Sequence, residues 1–297
     1  MRFPYGQYDA LLIEGPHIWP PLAGRWLQIP VWGLIDEHTF YFLHERYFPK
    51  TTRLALTFAL RRYTGLFVIG QMLARLAKSV LGPTCPPLYI GFNGVEELRL
   101  ERLLMVKPLL ENPTLIIIAH GEEGWRTYYK GLDLYMETLT LLRRHMPSIQ
   151  GLIVGRWTKR EQDRLFGLFP KAPVRFLGAV GDIETILGET SLYLHLARGE
   201  AWGIAVQEAI AAGVPAIVSE WTGAAEVVSQ IWSHGVVPLC PKTATERILE
   251  YFSLPVAERK VIAERGRSLI RSSYTRRQAV ERFYQLFEDA CRRVSVS

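Results

Sequence analysis

Short apolar runs alternate with stretches of helical apolar spacing along nearly the whole chain. Runs at residues 8–14, 29–35, 65–69, 115–119, 151–155, 174–177, 192–196 and 216–219 have the length and composition of buried strands. Residues 53–62 and 71–80 space their apolar side chains at helical intervals, with basic residues on the opposite face. Residues 89–96 read as a strand closed by an Asn93-Gly94 turn, and 97–113 as a charged connection ending at Asn112-Pro113. Further helices are predicted from 130 to about 144, over 204–212, and from 243 to the end, the last spanning 274–293. Strands that alternate with helices predict an α/β protein with parallel sheets. The charged connection divides it into lobes at 1–110 and 111–297. No repeat or low-complexity segment interrupts the pattern.

The stretch 191–228 carries the most specific chemistry. A strand ends, the chain breaks out through Ala197, Arg198, Gly199 and Glu200, and a helix starts after Gly203. Open α/β sheets bind ligands at such carboxyl strand ends. Gly203 has no side chain, so an anion can approach the first-turn amides of Ile204 and Ala205. Glu208 lies roughly 7 Å further along the helix axis. A carboxylate accepts two adjacent hydroxyl donors, which suits a vicinal diol. Two such carboxylates, Glu200 and Glu208, flank a phosphate seat, matching the ribose, diphosphate and hexose of a nucleotide sugar.

Glu200, seven intervening residues, Glu208, then Gly213-Val214-Pro215 and Gly223…Glu226 resemble the E-x7-E signature of family 4 retaining glycosyltransferases. Asn93-Gly94-Val95-Glu96 is similar to the family's "NGVD" turn, Lys130-Gly131-Leu132-Asp133 to its "KG-x-D" element, and 176–178 to its "FLG" strand. The resemblance implies a GT-B architecture of two Rossmann-like lobes facing a cleft, with the final helix crossing back to the first. It makes 1–110 the acceptor-side lobe and 111–297 the nucleotide-sugar lobe. By the same resemblance Glu208 holds the donor ribose, Glu200 lies beside the transferred sugar, and Lys130 neutralises the diphosphate. Arg126 stands in for the family's usual arginine, Val180 lies in the loop that touches the nucleobase, and Gly223 lines the far wall of the site.

Departures from the family lie in the first lobe. The family's opening strand and glycine-rich loop have no counterpart, so this lobe reads as shortened. Ile35 fills the place of a common histidine, leaving Asp36 and His38 as acceptor-side candidates. Within the second lobe, His195 reads as packed, and Arg198 as a partner for a phosphate or for Glu200. The implied reaction is transfer of a sugar, with retention, from a nucleoside diphosphate sugar to a hydroxyl acceptor. No cofactor and no metal is expected, since no Asp-x-Asp cluster is present. A non-catalytic nucleotide-sugar-binding subunit completed by a partner chain, or another GT-B enzyme such as an epimerase or phosphorylase, remains an alternative.

Composition adds little. The net charge of +6 reads as a mild bias suited to anionic substrates and too diffuse for nucleic acid. Basic amphipathic helices near Trp19, Trp26 and Trp32 leave open a peripheral contact with an anionic membrane. Cys85, Cys240 and Cys291 are widely separated and lack metal-type spacing, which favours a reducing compartment. No run reaches transmembrane length and the opening Met1 to Tyr5 does not resemble a signal peptide, so a cytoplasmic protein is expected. A homo-oligomer stays open, and the scarcity of asparagine leans towards a thermophilic source.

Overall fold

The computed structural model describes residues 8–295, and the chain divides into two compact units. The reading of Met1 to Tyr5 lies outside the described residues. The first unit comprises the chain up to Asn93 together with the residues from Ala279 onward. Its sheet contains β1 (Leu11–Glu14), β2 (Val31–Ile35), β3 (Gly65–Ile69) and β4 (Leu88–Gly91), all parallel and in sequence order. The connections are α1 (Trp19–Leu27), α2 (Thr39–His44), α3 (Lys50–Leu60) and α4 (Gly70–Leu81). The apolar runs mark every strand, but α1 and α2 escape the pattern. Two prolines open α1, where helices tolerate them, and α2 is a six-residue segment with five buried side chains and no amphipathic period.

The second unit, residues 94–278, holds α5 (Glu97–Leu104), β5 (Thr114–Ile118), α6 (Trp125–Lys130), α7 (Leu132–Leu142), β6 (Gln150–Val154) and α8 (Lys159–Leu168). Then follow β7 (Val174–Gly178), α9 (Ile183–Gly188), β8 (Leu192–His195), α10 (Ile204–Ala211), β9 (Ala216–Ser219) and α11 (Ala225–Ile231). The unit closes with β10 (Val236–Val237), α12 (Pro241–Ser253) and α13 (Val256–Ser273). The sheet is parallel in the order β10-β9-β8-β5-β6-β7, so the winding reverses between β5 and β8. Tyr135, Leu139, Ile153, Leu194, Ile217 and Tyr251 knit the helices onto it.

Residues 97–104 are a helix, not the connection expected there. The Glu96 carboxylate caps it, accepting from the Leu98 and Arg99 amides at 3.2 and 2.8 Å, while Leu100 and Leu103 turn inward. The division accordingly falls after Asn93, where the sequence pattern placed it near residue 110. Val95 ties this segment to the second unit: its amide donates to the Tyr274 carbonyl at 2.9 Å, and its carbonyl accepts from the Arg276 amide at 2.8 Å.

The last helix, α14 (Arg276–Ser295), supplies Phe283, Leu286, Phe287 and Ala290 to the first unit's core around Trp32, Phe67 and Tyr89. Trp32 is 1% exposed, with its ring 5.7 Å from that of Phe287, so it does not belong to any surface aromatic set. Nor is the basic charge diffuse. Residues 46–95 hold seven Lys and Arg and no Asp or Glu, which leaves the remainder of the chain at −1. Among the described residues no helix is long and apolar enough to cross a membrane.

Candidate functional site

The switch between β5 and β8 places two loops of the second unit side by side. The loop after β5 leads through α6 to Lys130, and the loop after β8 leads to Glu200 and α10. Gly131 makes the approach feasible: a Cβ on it would lie 2.0 Å from the Leu196 carbonyl oxygen, and its φ is +69°. A side chain there would push Lys130 away from the end of β8. Gly223 does the same on the other flank. Its amide donates to the Glu200 carbonyl at 2.9 Å, and a Cβ would meet the Ala201 carbonyl oxygen at 2.0 Å. The loop carrying Glu200 is thereby held from both sides.

At the centre, the Lys130 ammonium is ion-paired and hydrogen-bonded to the Glu200 carboxylate. Burial alone would raise the Glu200 pKa, but the adjoining Lys130 ammonium outweighs it and holds the carboxyl down at about 2. The His195 side chain is 3% exposed, with Nε2 3.7 Å from the carboxylate, too long for a hydrogen bond. Neither of its ring nitrogens has a hydrogen-bond partner among the described residues. Burial pushes its pKa down, with Glu200 opposing, which keeps the imidazole neutral near pH 7. An ammonium has three donors, so Lys130 can hold Glu200 and still face an anion.

Helix α10 starts next to this pair. Gly203 precedes it with a φ of +84°, and the first-turn residues Ile204 and Ala205 are half-buried. Their amides have no acceptor within the helix, because none precedes them. Glu208 follows on the same helix, partly exposed, and is held by Arg99, whose Nε lies 3.3 Å from its carboxylate. The same guanidinium bonds Glu184 at 2.5 Å, and Arg102 reaches Glu184 at 3.1 Å. Burial opposes ionisation of Glu184, but the helix amide and these arginines prevail and lower its pKa. Arg99 was hidden inside the supposed connection. Its one sequence signal is the Glu96 cap, which marks a helix start three residues earlier.

Other candidates lie elsewhere. Arg198 does not pair with Glu200. It forms a bidentate pair with Asp133 at 2.9 and 2.8 Å and lies 3.9 Å over the Tyr128 ring, because its side chain turns back toward α6 and α7. Arg126 is exposed one turn before Lys130 on α6, 5.1 Å over the Trp125 ring. Val180 is half-buried just ahead of α9, whose cap is Asp182 accepting from the Thr185 amide at 3.0 Å. Asp36 and His38 belong to the first unit. Burial raises the Asp36 pKa, and the His38 ring packs 4.4 Å from Phe42. Among the described residues no cluster of His, Cys, Asp or Glu is placed to hold a metal.

Comparison with known proteins bears on this corner. Residues 124–269 match the family model described as Glycosyl transferases group 1. A phosphatidyl-myo-inositol mannosyltransferase of Propionibacterium freudenreichii subsp. shermanii is 27% identical over 165 residues, covering 54% of this chain and 39% of the relative. A protein of the same name from Mycobacterium tuberculosis is 29% identical over 141 residues, 46% of this chain and 36% of the relative. The match therefore spans well under half the length of these curated relatives. Among solved structures, sucrose-phosphate synthase from Thermosynechococcus elongatus superposes with a TM-score of 0.73 at 16% identity, over 96% of this chain and 74% of that one. Anabaena HepE in complex with UDP gives 0.71 at 14% identity, over 95% and 79%. The two parallel-sheet lobes have the fold of GT-B glycosyltransferases, and the family match over 124–269 contains Lys130, Glu200 and Glu208.

Proposed function

We propose that the chain is a retaining glycosyltransferase that moves a hexose from a nucleoside diphosphate sugar to a hydroxyl acceptor. The observation that carries this reading is the Lys130–Glu200 pair at the start of α10, with Glu208 on the same helix. The α10 amides and Lys130 take the diphosphate, whose negative charge grows as the sugar departs. Glu200, ionised by its neighbours, positions the sugar hydroxyls. Glu208 accepts two ribose hydroxyls once it exchanges part of its bond to Arg99. The leaving phosphate takes the acceptor proton on the same face, which retains the anomeric configuration. Lys130 and the helix amides carry the charge that a metal carries elsewhere, so the reaction is metal-independent. The first unit, with Asp36 and His38, is the acceptor-side lobe.

The test is a thermal-shift panel of UDP, GDP, ADP and dTDP with their common sugars, on wild type and Glu208→Ala. Ligand at about a hundred times its Kd stabilises by about 2.7 kcal/mol. Glu208→Ala removes charge-assisted bonds and lowers the affinity of the favoured donor by about 2–4 kcal/mol. Unchanged affinity in that variant would remove the ribose assignment. The absence of a shift with every nucleotide would remove the donor reading itself.

A further inference from the structure

Helices α1 and α3 of the first unit present a surface that a solvated protein face does not explain. Trp19 and Trp26, on one side of α1, are 78% and 83% exposed, and Leu54 and Phe58 of α3 are 62% and 49% exposed. Leu54, Phe58 and Arg61 follow at i, i+4 and i+7, so apolar side chains sit on the outward stripe of the helix. Arg25 of α1 lines one groove with Leu54 and Phe58 of α3 and with Arg61 and Arg62 just past its end. An adjoining groove adds Arg46, Lys50 and Arg53 and shares Leu54 and Arg61.

These cations have no carboxylate partner among the described residues. Neither helix contains an acidic residue, and the sequence carries none from 46 to 95. The Arg62 guanidinium lies 3.2 Å over the Phe58 ring and donates to the Phe58 carbonyl at 2.7 Å, with no carboxylate paired to it among the described residues. The Arg61 Nε donates to the Leu81 carbonyl at 3.1 Å, also without a carboxylate.

We propose that the α1–α3 face docks on the surface of an anionic lipid bilayer, Trp19, Trp26, Leu54 and Phe58 entering the interface and the surrounding arginines and Lys50 meeting lipid phosphates. Indole rings settle at headgroup depth, and long basic side chains reach from an apolar stripe to phosphates above it. Two exposed aliphatic and phenyl side chains between cations suit acyl chains better than a nucleic-acid backbone, which such a stripe would not contact. This contact is independent of the transferase reading, since it requires neither donor nor turnover.

Flotation of the whole chain with vesicles tests it. One set is phosphatidylcholine alone and the other contains about one-third phosphatidylglycerol, at low salt and about 0.5 M NaCl. The chain floats with the anionic vesicles at low salt and is released at high salt. Arg25→Gln/Lys50→Gln weakens partitioning by about thirtyfold, at about 1 kcal/mol per cation. Trp19→Ser/Trp26→Ser abolishes flotation. Both variants keep the wild-type melting temperature, since the four side chains are exposed. Flotation that is absent, indifferent to lipid charge, or retained in both variants overturns the proposal. So does tighter binding to a nucleic-acid oligomer than to anionic vesicles at the same salt.

Discussion

The candidate site of the second unit and the α1–α3 face of the first treat their cations in opposite ways. In the second, Lys130 pairs with Glu200, Arg99 with Glu184 and Glu208, and Arg198 with Asp133. In the first, Arg25, Lys50 and Arg53 on α1 and α3 have no carboxylate partner among the described residues. Charges closed on one another hold loops in place and set the ionisation of Glu200. Charges left open leave a face with a net field, and that field is felt by whatever approaches from outside. The same residue types thus tie loops and helices together in one unit and, as proposed above, form an adhesive surface in the other.

The most severe way to break this contrast is to open the central pair. With Lys130→Ala, turnover falls about 10²–10³-fold while nucleotide affinity changes far less, because the lysine opposes charge that builds during transfer. Single-turnover kinetics with titrated nucleotide separate the two. Equal losses in both would recast the lysine as a ground-state ligand.

Acid provides the next perturbation. The Glu200 pKa is depressed from 4.5 to about 2 in the folded chain. Its stabilisation is complete above the unfolded pKa and drains away as pH falls from about 4.5 toward about 2. Denaturation curves across that window show wild type losing more stability than Glu200→Gln. Parallel curves would mean the carboxylate is not held ionised by its neighbours.

A smaller effect sharpens the role of Arg99. A double-mutant cycle between Arg99→Ala and Glu208→Ala, read by nucleotide calorimetry, gives a coupling of about 0.5–2 kcal/mol. Strict additivity would make Arg99 a spectator. The smallest effect belongs to the open face of the first unit. Lys50→Gln and Trp26→Ser each move stability by less than about 0.5 kcal/mol, whereas a comparable change in the paired unit costs more.

How far the sequence could be read depended on the range of each interaction. The strands were legible because buried parallel strands are continuous apolar runs, as in β3 (Gly65–Ile69). The positions of Gly203 before α10 and Glu208 on it were legible because both lie along one helix, where spacing sets distance. Arg99 was not, since its partner Glu208 is 109 positions away. Arg198 was misread for the same reason: its sequence neighbour Glu200 looks available, but Asp133 and Tyr128 reach it through space. Trp32 counted as a surface aromatic until α14 covered it. The acid-free segment 46–95 was readable throughout, but a whole-chain charge averages it away.

By itself the sequence determined the alternation of strands and helices, and the placing of Gly203 and Glu200 before α10 with Glu208 on it. Those follow from local propensity and period, which act within one or two turns of chain. Only the tertiary structure decided that Lys130 meets Glu200 across 70 positions, that Arg99 occupies Glu208, and that Arg25 of α1 shares a groove with Leu54 and Phe58 of α3. Side-chain pairing depends on which loops and helices the sheet order brings together, and that order is a property of the folded chain rather than of any segment.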